Sequence, residues 1–213
     1  MSDDVRERWD EHAATFDDDA DHGLRDPGVR SAWARLLRHA LPSVPASVAD
    51  LGCGTGSLSV LVASAGHRVW GLDVSPRMLE VAAGKAASHG VPVTFVRGDA
   101  AAPPLRAGSC DVVLARHVLW ALPDPAAALA RWVALLRPGG RIVLIEGRWA
   151  TGAGLPAREC AALVRRCGRT ARVQVLDDPA LWGRTITDER YLLLSPTQPQ
   201  APPLRRLGGP SQA

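Results

Sequence analysis

The chain has 213 residues, 46% of them hydrophobic and 22% charged, and a formal net charge of +3. That length suits one buried core, the composition is globular rather than disordered, and so small a charge implies no field that would steer nucleic acid. Of the 25 Lys and Arg residues only Lys85 is lysine, which reads as a coding bias rather than a phosphate-binding surface.

The start, Met1-Ser2-Asp3-Asp4, is acidic and has no apolar stretch of the kind that leads a secretory signal. No apolar run reaches membrane-spanning length. Cys53, Cys110, Cys160 and Cys167 form no C-x-x-C pair, so neither a disulfide framework nor a zinc site is predicted, and the setting is read as cytoplasmic.

Residues Asp3–Ala14 are predicted as a short amphipathic helix, followed by the acidic stretch Asp17–Gly23, read as a solvated loop. Val29–Leu41 places Trp33, Leu36, Leu37 and Leu41 at helical spacing, and Pro42 ends it. An alternation then begins. Val48–Leu51 reads as a strand, Gly52–Gly56 as a loop and Leu58–Ala65 as a helix. Arg68–Leu72, Val93–Val96, Asp111–Ala115 and Arg141–Glu146 are the next strands, with a helix over Pro76–Ser88 after the first of them. Asp124-Pro125 opens another helix as N-cap and first-turn proline, and Pro138-Gly139-Gly140 stops it. A helix near Pro156–Cys167 and strands near Ala171–Leu176 and Arg190–Leu194 complete the pattern, the last two able to pair antiparallel. Such alternation predicts an α/β fold with a parallel sheet covered on both faces. The tail, 196–213, is rich in proline and polar residues and is predicted to be disordered.

The most informative stretch is Asp50-Leu51-Gly52-Cys53-Gly54-Thr55-Gly56-Ser57. Glycines directly after a strand permit a sharp turn and close approach of a ligand to the backbone. A dinucleotide site would carry its last glycine where Ser57 stands, and a pyrophosphate would not favour the nearby Asp50. A carboxylate there suits an ammonium group instead. Asp73 ends the next strand, nineteen residues beyond Gly54, where it can accept from ribose hydroxyls. Asp99 follows the third strand, where it can accept from an adenine amine while the amide of Ala100 donates to the ring. Ligands of open α/β sheets lie at the carboxyl ends of the strands, so three aspartates at three successive ends suggest one site.

These runs, with Gly71-Leu72-Asp73-Val74-Ser75, Gly98-Asp99-Ala100 and Arg137-Pro138-Gly139-Gly140-Arg141, resemble the successive motifs of class I S-adenosylmethionine-dependent methyltransferases, in their small-molecule, type 11-like branch. The likeness covers roughly residues 45–147. It implies a doubly wound Rossmann-like sheet of seven strands, mostly parallel with the last antiparallel. It divides the chain into an N-terminal helical lid segment (1–42), a cofactor-binding domain (43–195) and the tail. S-adenosyl-L-methionine is the implied cofactor. Asp50, Gly52, Cys53, Gly54 and Gly56 would surround its methionine part, Asp73 its ribose, Val74 and Met78 its adenine faces, and Asp99 and Ala100 the adenine edge. Arg116 would offer its backbone near the methionine end.

His117, after the fourth strand, is the candidate general base, needed for a hydroxyl acceptor and less for a thiol or amine. Trp9, His12 and Phe16 are candidates for a segment closing over the cofactor, and Trp120 for the acceptor side. Trp132 and Trp149 are read as packing residues, and no metal is expected. The partner is a small-molecule acceptor, with neither nucleic acid nor membrane, and the protein is a monomer or homodimer. A cofactor-binding protein without methyl transfer, pericyclic or regulatory, and a nicotinamide oxidoreductase remain as alternatives.

Overall fold

The computed structural model describes residues 3–196. Except for Pro196, the expected tail lies outside the described residues. Seven strands form one sheet: β1 (Ser47–Leu51), β2 (Arg68–Asp73), β3 (Val93–Arg97), β4 (Cys110–Arg116), β5 (Leu136–Arg148), β6 (Arg172–Val175) and β7 (Glu189–Ser195), in the order β3-β2-β1-β4-β5-β7-β6. The pairs along β3 to β5 are parallel, and β7 runs antiparallel to both β5 and β6. The strand order reverses direction between β1 and β4, and ligands of open α/β sheets bind at that crevice.

Among the described residues eight α-helices accompany the sheet: α1 (Asp3–His12), α2 (Ala20–Gly23), α3 (Pro27–Ala40), α4 (Ser57–Ser64), α5 (Pro76–Ser88), α6 (Pro125–Ala134), α7 (Ala157–Arg166) and α8 (Pro179–Trp182). Several begin as their sequences dictate. Asp26, Ser75, Asp124 and Asp178 each cap a following helix by accepting a backbone N–H, with proline in the first turn. Every residue of β1 is buried, as expected for a central strand covered on both faces. Its alternation divides the core. Ala49 and Leu51 join Val113, Leu144, Trp132 and Cys160 on one face. Val48 joins Leu114, Val143, Trp33 and Trp182 on the other. Among the described residues no helix is long and apolar enough to cross a membrane.

Three expectations change. β5 begins at Leu136, not Arg141, because α6 already ends at Ala134 and the Arg137–Gly140 segment forms a register shift between Cys110 and Val112. Gly139, at φ +88°, supplies the backbone turn within it. The acidic stretch is not a solvated loop. It contains a 3₁₀ turn over Phe16–Asp18 and the short α2, with Asp17 buried. The turn α8 lies where no element was expected, and it docks because Trp182 is buried against Trp33 with ring centroids 5.6 Å apart.

Gly56 caps α4 at φ +76°, and a Cβ there would lie 2.8 Å from Ala82 Cβ and 3.2 Å from Phe95 Cζ. Gly56→Ala therefore combines left-handed strain with overpacking against α5. We expect a loss of about 3 kcal/mol in urea unfolding, against about 1–2 kcal/mol for Gly66→Ser, whose Cβ meets open space and which therefore carries only the left-handed strain.

Candidate functional site

The glycine turn is fixed by two neighbours on β2. Gly52 and Cys53 both donate their N–H to the Leu72 carbonyl, at 2.7 and 2.9 Å. Asp73 accepts from the Gly54 N–H through one carboxylate oxygen and from the Ser75 N–H through the other, each at 2.9 Å. Positive φ at Gly52 and Gly54 bends the chain so that its backbone lines a cavity. A Cβ at Gly52 would lie 2.5 Å from Val118 Cγ2, and one at Gly54 would touch the Phe16 ring at 3.4 Å.

The cavity, about 390 Å³, opens over the carboxyl ends of β1, β2 and β4. Asp50, Gly52, Cys53, Gly54, Asp73, Val74, Met78, Ala100, Arg116, His117 and Trp120 line it, together with Trp9 and Phe16 from the N-terminal segment. The structure thus brings together most of the residues singled out in the sequence. Three of them lie elsewhere. Gly56 turns toward α5, as above. Asp99 does not line the cavity, and its carboxylate accepts the Ala101 N–H at 2.7 Å, a local turn bond. His12 lies outside the lining and binds the Arg8 carbonyl of its own helix, its ring edge against Trp9.

Asp50 is buried and accepts the Ser59 hydroxyl at 2.6 Å. Desolvation is the main reason its pKa rises to about 6, partly offset by Ser59 and the Arg116 charge. Burial likewise raises Asp73, against its backbone hydrogen bonds. A turn with bare backbone at Gly52 and Gly54, next to two desolvated carboxylates, fits a ligand with an amino-acid head and a hydroxylated ring.

His117 sits at the end of β4 with φ +58°, an uncommon conformation for a residue with a side chain. Its ring stacks on Trp182 at 6.3 Å and meets the Trp149 edge at 5.1 Å, and Nε2 is buried with no hydrogen-bond partner. Burial, then Arg116, His22 and Arg190, hold its pKa well below the ordinary value, so the ring is neutral.

Several site residues carried no sequence signal. Val118, His22, Arg184 and Arg190 line the cavity, as does Trp149, read as a packing residue near a site-side strand end. Glu146 lies beneath it: fully buried, it accepts the Val118 and Leu119 N–H groups at 3.0 and 2.8 Å and so fixes the turn after His117. Its second oxygen has no partner, and burial pushes its pKa up to about 8. At Lys85 the ammonium meets Asp17 at 2.8 Å and Ser57 Oγ at 2.7 Å, while Thr55 donates to Asp17. This network ties the N-terminal segment to the glycine loop. A second tie joins Asp10 to the Ser75 hydroxyl at 2.6 Å. Among the described residues no group of three His, Cys, Asp or Glu side chains is arranged to hold a metal.

Residues 49–144 match the family described as a methyltransferase domain. The chain is 35% identical to a demethylmenaquinone methyltransferase of Renibacterium salmoninarum, over 65% of this chain and 60% of that protein. It is 40% identical to a nocamycin O-methyltransferase of Saccharothrix syringae, over 54% and 42% respectively. The solved structure of the [4+2]-cyclase SpnF superposes with a TM-score of 0.68 at 19% identity, covering 78% of this chain and 80% of that one, a likeness of fold alone. The chain spans 60%, 56% and 42% of the first three curated relatives it matches.

Because the folded Glu146 holds its proton up to about pH 8 and the unfolded carboxyl only to 4.5, its contribution is fully present below about pH 4.5 and is lost as pH rises toward 8. Asp50, raised from 3.8 to about 6, acts in the same sense over a lower range. In urea melts from pH 5 to 9, Glu146→Gln should remove the part of the decline between pH 6 and 8. Glu146→Ala, which leaves two buried amides unpaired, should cost about 3 kcal/mol at pH 6.

Proposed function

We propose that the chain is a class I S-adenosylmethionine-dependent methyltransferase of the small-molecule branch, transferring a methyl group from S-adenosyl-L-methionine to a small-molecule oxygen, nitrogen or sulfur acceptor. The observation that carries this reading is the Gly52–Gly54 turn, whose two glycines present bare backbone to the cavity beside the buried Asp50 and Asp73 carboxylates. The cofactor, when bound, supplies a methyl group already activated by a sulfonium. The protein therefore has to bind, orient and exclude water, and proximity provides most of the acceleration.

In this reading Asp50 holds the ammonium of the amino-acid head, and Gly52, Cys53 and Gly54 offer backbone to it. Asp73 has lone pairs left beyond its two amide bonds for the ribose hydroxyls. Val74 and Met78 flank the adenine, and the Ala100 amide faces its edge. Trp132 supports that arrangement by donating its indole N–H to the Ala100 carbonyl at 2.7 Å. Arg116 lends its backbone near the methionine end, while its guanidinium covers Trp33 at 5.1 Å.

Residues 1–42 act as the lid of the domain 43–195, with Trp9 and Phe16 against the ligand and Asp17–Lys85 as its latch. His117 is the neutral hydrogen-bonding residue of the acceptor end. An imidazolium among Arg116, His22 and Arg190 is unfavourable, which makes His117 a weak base. The names of the relatives support a small acceptor, as a quinone precursor or a specialised metabolite would be. The four free cysteines support a cytoplasmic setting.

Incubation with labelled cofactor and a metabolite extract, read by mass spectrometry, tests the activity. A product gaining one methyl supports it, and cofactor binding with no methylated product would leave a binding protein instead. Calorimetry with S-adenosylhomocysteine should show affinity rising from pH 5 to 7 as Asp50 ionises, a rise that Asp50→Asn abolishes. His117→Ala should lower kcat about tenfold or less, with no limb near pH 6.5. A loss of about a hundredfold or more with such a limb would restore His117 as base. Ligand should also slow amine-directed labelling of Lys85, the sole lysine, if the lid closes over it.

A further inference from the structure

The cavity has a second, basic end that the cofactor residues leave unassigned. It exists because β7 runs antiparallel to β5: Gly147 pairs with Arg190, which puts the N-terminal residues of β7 at the carboxyl end of β5. Arg190 lines the cavity there with its side chain 7% exposed. Its guanidinium lies between two indoles, 5.1 Å from the Trp149 ring and 5.3 Å from the Trp182 ring. Gly147 makes the room, since a Cβ on it would lie 2.9 Å from Arg190 Cδ and 3.3 Å from Nη1.

Asp188 lies in ion contact with Arg190, Oδ2 to Nη1 at 2.9 Å. Yet neither Nε nor Nη1 has a hydrogen-bond partner of adequate geometry. Buried guanidinium donors left unpaired are costly, and a ligand oxygen that accepts from them recovers that cost. Asp188 offsets part of the guanidinium charge, and Asp19 and Asp21 border the cavity beside His22, so the preference for an anion rests on the unpaired donors and on the groups about His117. His117, on the same wall, is surrounded by Arg116, His22 and Arg190, with no carboxylate acting on it in the opposite sense. Arg184 also borders the cavity. A cationic acceptor is disfavoured here, and a neutral one would satisfy the donors only weakly. Shape adds a further constraint: Trp120 and Trp149, with centroids 5.1 Å apart and planes tilted by 56°, form an aromatic corner that can meet a flat ring by face on one side and by edge on the other.

We propose that Arg190 is the acceptor's anchor, binding an anionic oxygen, carboxylate or ionised hydroxyl, on a planar conjugated molecule that packs against Trp120 and Trp149. This rests on the methyltransferase reading and names the acceptor class of the same site. The two ends of the cavity are then complementary. Carboxylates receive the cationic cofactor and a guanidinium receives the anionic acceptor.

The test uses the full chain saturated with S-adenosylhomocysteine and three probes, 2-naphthoate, 2-naphthamide and 2-naphthol, titrated by calorimetry and tryptophan fluorescence. We expect naphthoate to bind about tenfold or more tightly than the isosteric amide, or naphthol to gain affinity to that extent as it ionises. The first result identifies a carboxylate as the anchored group and the second an ionised hydroxyl. Arg190→Gln should erase the preference, and Arg190→Lys should keep part of it. Titration with S-adenosylhomocysteine reports whether each variant keeps its fold; if Arg190→Gln does not, the wild-type comparison of acid with amide decides alone. Equal binding of acid and amide with no gain for naphthol, no binding of any probe, or a preference that survives Arg190→Gln overturns the proposal. If the wild-type chain does not bind S-adenosylhomocysteine, the methyltransferase reading falls first and the proposal with it.

Discussion

The site depends on one clamp, the Asp73 carboxylate held between the Gly54 and Ser75 amides. A parallel sheet leaves its strand ends as separate loops, each free to take its own course. By accepting from the loop after β1 and from the N-cap of α5, Asp73 joins two of them into one rigid corner. The Leu72 carbonyl strengthens the corner by accepting from Gly52 and Cys53. In the proposed methyl transfer, whose chemistry would reside in the cofactor, such preorganisation matters because positioning is then the main contribution left to the protein.

Charge is distributed unevenly along the cavity. Asp50 and Asp73 are desolvated at the β1 and β2 ends, and both are raised in pKa by that burial. Arg190 and Arg116 dominate at the β4 and β7 ends, and the same low dielectric that raises the aspartates keeps His117 neutral. Glu146 belongs to neither group. Its role is mechanical: it holds the turn at Val118 and Leu119 and, being protonated near neutral pH, adds no charge to the basic end.

The N-terminal segment owes its position to polar contacts as well as to Trp9 and Phe16. Lys85 and Asp17 form a buried ion pair reinforced by Thr55 and Ser57, and Asp10 binds the cap of α5. A pair of this kind gives little net stability, because both charges are desolvated, but removing either partner is costly. It therefore specifies where the segment sits on the glycine loop.

Much of this was legible in the sequence. The alternating strands, the capping aspartates with their prolines, and the Asp50–Gly54 and Asp73 motifs lie within short runs whose local chemistry suffices to identify them. The seven strands and the antiparallel last one followed from the family resemblance, while the order of the strands came from the structure. Local chemistry does not choose among the partners open to a residue. Asp99 forms a turn bond to Ala101, Gly56 serves helix packing, and Asp17, in an acidic run that reads as solvated, is buried by the lysine 68 positions away. The basic end left no trace at all. Arg190 is one arginine among many until the reversal of β7 sets it beside Gly147 and between Trp149 and Trp182. The sequence by itself determined the glycine and carboxylate end of the cavity, because glycines and carboxylates at strand ends act through their own neighbours. Only the tertiary structure decided the basic end, because Arg190 and the two indoles about it come from distant segments that the sheet alone brings together.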